Sequence, residues 1–311
     1  MRPTARYLDA QTPGTPATRP PAARGTPTLP EAYAFCSRLA RRHYENFPVG
    51  SFLAPRRLRP AVHAVYAFAR GADDYADEPE HSGGRLAALG RWEAMLEEAA
   101  QGIARHPVFV ALADTIRQHH LPLKPFQDLL AAFRMDARGE RFDTWEQLLA
   151  YCRFSADPVG RLMLRLFRYD DPELDALSDH LCTALQLTNM WQDLGADLAR
   201  GRVYMPTKDL QYFGLLNSNL HMGRAGGLAR GLLALQVGRT RALYGAAAPL
   251  PGRLRPPLSW EVRAIAAGGR HILDRLEADG LDPISRRPRL GWIDRLAMLW
   301  EAFLPRPGAG R

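Results

Sequence analysis

Two short stretches of this chain carry oxygen-donor side chains at helical spacing. The first is "VYAFARGADDYADE", residues 65–78. Asp73, Asp74, Asp77 and Glu78 follow directly on an apolar run. On a helix, residues four apart share a face about one turn along. Asp73 and Asp77 therefore project together, with Tyr66 and Arg70 on roughly the same face. Carboxylates this close repel one another, so something positive must offset the repulsion, or the cluster must lie in water. The second stretch is "QLTNMWQDLGADLARGRVYMP", residues 186–206. It sets Asn189, Asp193 and Asp197 four apart, with Gln186 one turn earlier, as a polar stripe flanked by Leu185, Leu187, Met190, Trp191 and Leu194. An acidic helix end alone is most often a solvated one. Two of them on facing apolar helices form a site for hard divalent cations. Mg²⁺ takes oxygen ligands, keeps several waters and bridges one or two carboxylates to phosphate. Two or three such ions would offset the repulsion and hold a diphosphate. Asp74 and Glu78 are left behind the ligands or facing solvent.

The elements that must position these groups read as helices. From Glu31 onward apolar residues recur at three and four, and Ala, Leu, Arg and Glu dominate. Helices are expected near 31–46, 57–78, 84–104, 107–120, 123–138, 144–168, 173–199, 222–246, 258–278 and 290–303. Pro, Gly and Asp break the pattern at "EPEHSGG", "HLPLKP", "RYDDPEL" and "YMPTKDL". The fold class is all-α: one helical domain over 30–304, to which the family resemblance given below adds a central cavity. Residues 1–29 are rich in Pro, Thr, Ala and Arg and read as a disordered tail; 305–311 read as a flexible end.

Several classes drop out. No Gly-rich loop follows a strand, so neither a P-loop nor a dinucleotide fingerprint is available. The three cysteines, Cys36, Cys152 and Cys182, lie far apart and read as buried thiols in a reducing, cytoplasmic setting. No histidine pair has zinc spacing. No stretch is long and apolar enough to span a bilayer, and no secretory signal is visible. The net charge of +8 suits an anionic partner, but its arginines are spread along the chain without interleaved aromatics. Nucleic acid is therefore not expected.

Three motifs, "YAFARGADDYAD" (66–77), "YCRFSADPVG" (151–160) and "QLTNMWQDLGADLARGRVYMP" (186–206), make the chain resemble the squalene/phytoene synthase family of class I isoprenoid enzymes. The likeness runs from about Tyr33 to Arg289. Within the family it is most like the hydroxysqualene synthases of bacterial hopanoid biosynthesis. Asn46-Phe47 stands where most members have Ser-Phe, "SADPVGRL" where many have Ala-Gly-x-Val-Gly, and Gln192 where most have Arg. Gly269 and Phe142 stand where related enzymes have Tyr.

The resemblance implies conversion of presqualene diphosphate and water to hydroxysqualene and diphosphate, with Mg²⁺ and without NADPH. It implies Asp73 and Asp77 as one set of magnesium ligands, and Asn189, Asp193 and Asp197 as the other. Arg70, Arg202 and Tyr204 match diphosphate contacts, as do His43 and Asn46 on the first helix. Phe47, Tyr66 and Gln186 match cavity-wall residues. Phe47, Phe68, Phe133 and Trp191 are expected to screen a carbocation from water, and Gln192 or Asn46 to place the one water that reacts. Arg286, Arg287 and Arg289 read equally as headgroup or diphosphate contacts and as a solvated segment. The amphipathic "GWIDRLAMLWEAFL" (291–304) reads as a core helix, with a peripheral membrane contact as its second reading. Functional coupling to other squalene-pathway enzymes follows from the same resemblance. Two alternatives stand beside this one. One is condensation of two prenyl diphosphates to presqualene diphosphate, squalene or phytoene. The other is a non-catalytic member acting as an assembly factor, which predicts eroded metal ligands; all five are present.

Overall fold

The computed structural model describes residues 25–42, 54–77, 84–215 and 226–303, and these contain helices and connections but no strand. The N-terminal tail before Gly25, His43, Asn46, Phe47 and Glu78 lie outside the described residues. The order is α1 (Leu29–Arg42), α2 (Arg59–Asp77), α3 (Arg85–Ala100), α4 (Pro107–His119), α5 (Lys124–Arg138), α6 (Trp145–Ser155), α7 (Asp157–Leu166) and α8 (Pro172–Gln192). There follow α9 (Leu194–Ala199), α10 (Thr207–Tyr212), α11 (Gly227–Ala247), α12 (Leu250–Arg253), α13 (Leu258–Ala278) and α14 (Trp292–Phe303).

Local chemistry sets several of these boundaries. Asp171 caps α8 by accepting from the Glu173 amide at 2.8 Å, with Pro172 in the first turn where its missing N–H costs nothing. Thr144 caps α6 in the same way through the Gln147 amide. Gly139, at φ +66°, ends α5 in the left-handed region that suits glycine.

Two expected helices are each divided. The 144–168 helix breaks at Ala156, and the proline that follows, Pro158, starts α7. The 173–199 helix turns at Asp193, with φ −98° and ψ 8°. The short α10 and α12 carry too few residues to show a period, and the sequence reading has no counterpart for them.

Apolar side chains gather into two clusters. One, from α1–α5 and α7, centres on Phe68, Trp92, Phe109 and Phe126, all at most 1% exposed. The other, from α5 onward, holds Leu187, Trp191, Val237, Tyr244 and Leu273, with Leu164 from α7. Burying each large side chain contributes about 2 kcal/mol. α5 belongs to both: Phe126 and Leu130 go to the first, Ala132 to the second. Phe68 and Trp191 are thus core residues and not walls of a cavity, correcting the expectation for both. Phe68 packs edge-on to Phe126 at 5.3 Å, and Trp191 donates to the Thr240 hydroxyl at 2.9 Å. Gly269 has its own account. A Cβ there would lie 1.8 Å from the Tyr244 hydroxyl, which reaches in from α11 and bonds Thr188 at 3.0 Å. The volume a larger residue would fill at 269 is taken by Tyr244.

Glu261, in the first turn of α13, is 3% exposed and its Oε2 has no hydrogen-bond partner among the described residues. Burial pushes its carboxyl up to about 8. A folded-state value raised above the unfolded one adds stability at low pH that is lost as pH rises through the folded value. Thermal unfolding should therefore show stability falling as pH rises from about 5 to about 8, and Glu261→Gln should flatten that slope. An unchanged slope in the variant would mean that another group sets it.

Candidate active site

A cavity of about 280 Å³ opens between α2, α5, α6, α8 and the α9–α10 connection. α5 lends it one helical face: Leu129, Ala132, Phe133 and Asp136, spaced three and four apart. α6 adds Tyr151 and Ser155, one turn apart, and α8 adds Gln186. Asp73 enters from α2, and Arg202 and Tyr204 from the connection. The lining combines the apolar Leu129, Ala132 and Phe133 with carboxylates, hydroxyls, an amide and a guanidinium.

The first acidic stretch divides its work. Arg70 lies between two carboxylates, with Nη1 3.2 Å from Asp73 and Nη2 2.5 Å from Asp74. Burial alone would lower the arginine's pKa, but Asp74 and Asp73 outweigh it and hold the guanidinium charged. Asp73 is 38% exposed and lines the cavity. Asp74 is 1% exposed, so it is buried behind Arg70 and does not face solvent. Tyr66, one turn before Arg70, is half-buried and is not part of the lining. The Asp77 side chain lies outside the described residues.

The second stretch is split by the turn at Asp193. Gln186 lines the cavity, while Asn189, one turn later, is exposed. Asp193 accepts from Arg287, whose Nη2 lies 3.1 Å from Oδ2. Gln192 donates its amide to the Pro288 carbonyl at 2.8 Å and is not on the lining. Both bonds bring the 283–288 segment back onto the second acidic stretch. Gly195 permits that approach, since a Cβ there would sit 3.0 Å from the Ile284 Cα. The Asp197 carbonyl accepts from the Arg202 amide at 2.8 Å, which turns the chain so that Arg202 and Tyr204 enter the cavity.

Asp136 was not singled out in the sequence, where it is a lone acid near the end of α5. Its signal was the face it shares with Leu129, Ala132 and Phe133. Tyr151 donates to its two carboxylate oxygens at 3.0 and 2.9 Å, and Tyr204 donates at 3.2 Å. Burial, and then the Asp136 charge, push both phenols above their ordinary range. Phe142, with no hydroxyl, packs against both rings at 5.0 and 6.4 Å. The thiols play no part here; burial raises Cys36 and Cys182 to about 12.

Among the described residues, no three Asp, Glu, His or Cys side chains converge closely enough to hold a metal by themselves. The donor chemistry nevertheless fits Mg²⁺, because this ion needs only one or two carboxylates when waters and phosphate oxygens complete its shell. Asp73, Asn189, Asp193 and Asp197 are all oxygen donors; Asn189 is exposed and the three aspartates are half-buried, so none is closed off from solvent. They suit an ion that arrives with a diphosphate better than one bound in advance.

Comparison with known proteins identifies the family. A model of the squalene/phytoene synthase family matches residues 40–294. Phytoene synthase from Arthrospira platensis is 31% identical over 280 residues, covering 86% of this chain and 91% of that one. Squalene synthase HpnC from Alicyclobacillus acidocaldarius is 44% identical with a TM-score of 0.78, covering 82% of this chain and 96% of that one. A dehydrosqualene synthase crystallised with a ligand shares the fold at TM-score 0.81 and 24% identity, covering 88% of this chain and 96% of that one. With the family model spanning most of the ordered helices and the all-α architecture alike in its structural neighbours, this chain belongs to the squalene/phytoene synthase family.

Proposed function

We propose that this enzyme converts presqualene diphosphate and water to hydroxysqualene and diphosphate. The observation that carries the reading is the lining itself: Asp73, Arg202 and Tyr204 share one cavity with Leu129 and Phe133. Charged side chains suit a diphosphate, and apolar ones suit a prenyl chain. The 44% identity to a squalene synthase named HpnC supports this branch of the family.

Asp73, Asp77, Asn189, Asp193 and Asp197 would hold Mg²⁺ together with the diphosphate. When bound, Mg²⁺ supplies neutralisation of the charge that develops on the leaving group. Arg202 presents a guanidinium fork to phosphate oxygens, while the Tyr204 hydroxyl donates to Asp136. The diphosphate departs with the bonding electron pair, and a cation remains on the prenyl carbon. Leu129, Ala132 and Phe133 keep bulk water from it, and the Phe133 ring face stabilises positive charge. No reductant enters this reaction, so NADPH is not required.

Among the described residues, no helix is long and apolar enough to cross a membrane. Trp300 and Phe303 on α14 are 69% and 49% exposed, which supports a peripheral membrane contact for an enzyme with so lipophilic a product. Coupling to the enzymes that make the substrate and consume the product fits the same chemistry.

Condensation of two prenyl diphosphates is the second reading, favoured by relatives named phytoene synthase at 30–31% identity. The non-catalytic reading has less support, since the oxygen-donor positions are kept. A product assay separates them. Purified protein with Mg²⁺ receives presqualene diphosphate or farnesyl diphosphate, without NADPH, and products are read by gas chromatography–mass spectrometry. Hydroxysqualene from the first and nothing from the second is the expected result. Turnover of farnesyl diphosphate would move the enzyme to the condensing branch, and no turnover of either would favour the non-catalytic one.

A further inference from the structure

The carboxylate of Asp193 is already occupied by a cation of the chain itself. Asp193 stands at the corner between α8 and α9, where it could cap α9, yet its side chain makes no cap bond. Both of its oxygens accept instead from one guanidinium. Arg287 donates Nε to Oδ1 and Nη2 to Oδ2, the latter at 3.1 Å. A planar fork on both oxygens fixes the carboxylate in orientation as well as neutralising it. The need for a cation is local. Asp193 follows the last residue of the 21-residue α8, at the negative end of the helix dipole, where a carboxylate is disfavoured.

The backbone around Arg287 is anchored on both sides. The Gln192 amide donates to the Pro288 carbonyl at 2.8 Å, one residue beyond the arginine. Gly195 lets the chain before it lie against α9, since a Cβ there would sit 3.0 Å from the Ile284 Cα. Asp282 closes the preceding turn, accepting from the Ser285 amide and hydroxyl at 3.1 and 2.8 Å. The base of the arginine is therefore held in place. The pair itself is open to water, with the Arg287 side chain 39% exposed and that of Asp193 33% exposed. Such a pair contributes little to folding and separates at little cost. The backbone stays where it is while the guanidinium can leave the carboxylate.

We propose that Arg287 is a placeholder cation on Asp193, which keeps bare Mg²⁺ off this carboxylate and admits the ion together with a diphosphate; this rests on the magnesium reading of Asp193. A fork across both oxygens leaves a free cation only their outer lone pairs, beside a positive charge. For a bare Mg²⁺ the guanidinium must give way or share the carboxylate, and either way two cations are brought together. A prenyl diphosphate carrying Mg²⁺ has a negative net charge, so the same guanidinium attracts the complex. Arg287 thus acts through Asp193 as a positioning residue, and the order of loading follows from charge alone.

The test titrates Mn²⁺, an ion that also prefers oxygen ligands, into the full chain and reads the unbound ion by electron paramagnetic resonance. Arg287→Gln should bind Mn²⁺ alone about fivefold more tightly than wild type. Arg287→Lys, which keeps the positive charge, should stay close to wild type. A second readout is the rise in unfolding temperature with Mn²⁺ and inorganic diphosphate together, where Arg287→Gln should gain nothing over wild type. Equal affinity of Arg287→Gln and wild type for Mn²⁺ alone would overturn the proposal. So would a gain that persists with diphosphate present, because the guanidinium would then repel the loaded complex as well. Asp193→Asn separates this from the reading beneath it. If that variant keeps the full rise with Mn²⁺ and diphosphate, Asp193 is not a metal ligand and the magnesium reading fails first. If it loses the rise while Arg287→Gln leaves Mn²⁺ binding unchanged, only the placeholder fails.

Discussion

Asp73→Asn should lower turnover of presqualene diphosphate by about 100- to 1,000-fold while leaving the unfolding temperature nearly unchanged. Asp73 lines the cavity and is 38% exposed, so its charge is available to ligand and water. The amide keeps the shape and much of the hydrogen bonding but removes the charge that a magnesium diphosphate would need. Arg70 approaches Asp73 at 3.2 Å, yet at this exposure such a pair contributes little to folding. The effect should therefore appear in kcat and in the Mg²⁺ concentration required, and not in stability. An Asp73→Asn enzyme within about threefold of wild type would remove Asp73 from the diphosphate end of the site.

Arg70→Met should act in the opposite way, destabilising the fold by about 3 kcal/mol. The guanidinium stands 2.5 Å from Asp74, a carboxylate with 1% exposure. Taking away the guanidinium removes a positive charge 2.5 Å from a buried anion, and the anion's pKa must rise. A folded-state pKa above the unfolded one costs stability as pH increases. The gap between variant and wild type should thus be widest at neutral pH and narrow toward about pH 4. Adding Asp74→Asn to Arg70→Met should recover much of the loss, since the buried charge is then gone. Equal losses at both pH values, with no recovery in the double variant, would show that Arg70 stabilises by packing alone. The adjacent aspartates then have separate tasks, one facing the ligand and one anchoring the arginine.

The helical class and most helix positions were legible because the apolar period is strong; 258–278 matches α13. Proline explains the division of 144–168, and Pro158 was in plain view, but a proline in a first helical turn and one in a break look alike in sequence. Within the site, Gln186, Arg202 and Tyr204 were found by motif and do line the cavity. Asp136 was not. It is a lone polar residue, and its meaning arises only when α5 meets α6 and the α9–α10 connection. Arg287 shows the same limit. In sequence it is one of several arginines in "ISRRPRLG", whereas in the fold it reaches Asp193, 94 positions earlier. Phe68 and Trp191 err in the other direction: aromatic type marks a large apolar side chain, not whether it faces a cavity or a core.

The division of apolar residues into two clusters, with α5 and α7 shared between them, has a consequence for how the molecule responds to a ligand. The cavity runs along the boundary where the two dry interiors meet, and its polar lining contributes least to holding them together. Native-state amide exchange should then find two cooperative units, with amides near the boundary opening more readily than those around Phe126 or Trp191. A diphosphate ligand held by Asp73 on one side and Arg202 on the other would act as a cross-brace, stabilising by mass action in proportion to its occupancy. Occupancy would thereby be readable from unfolding alone, without any chemistry taking place.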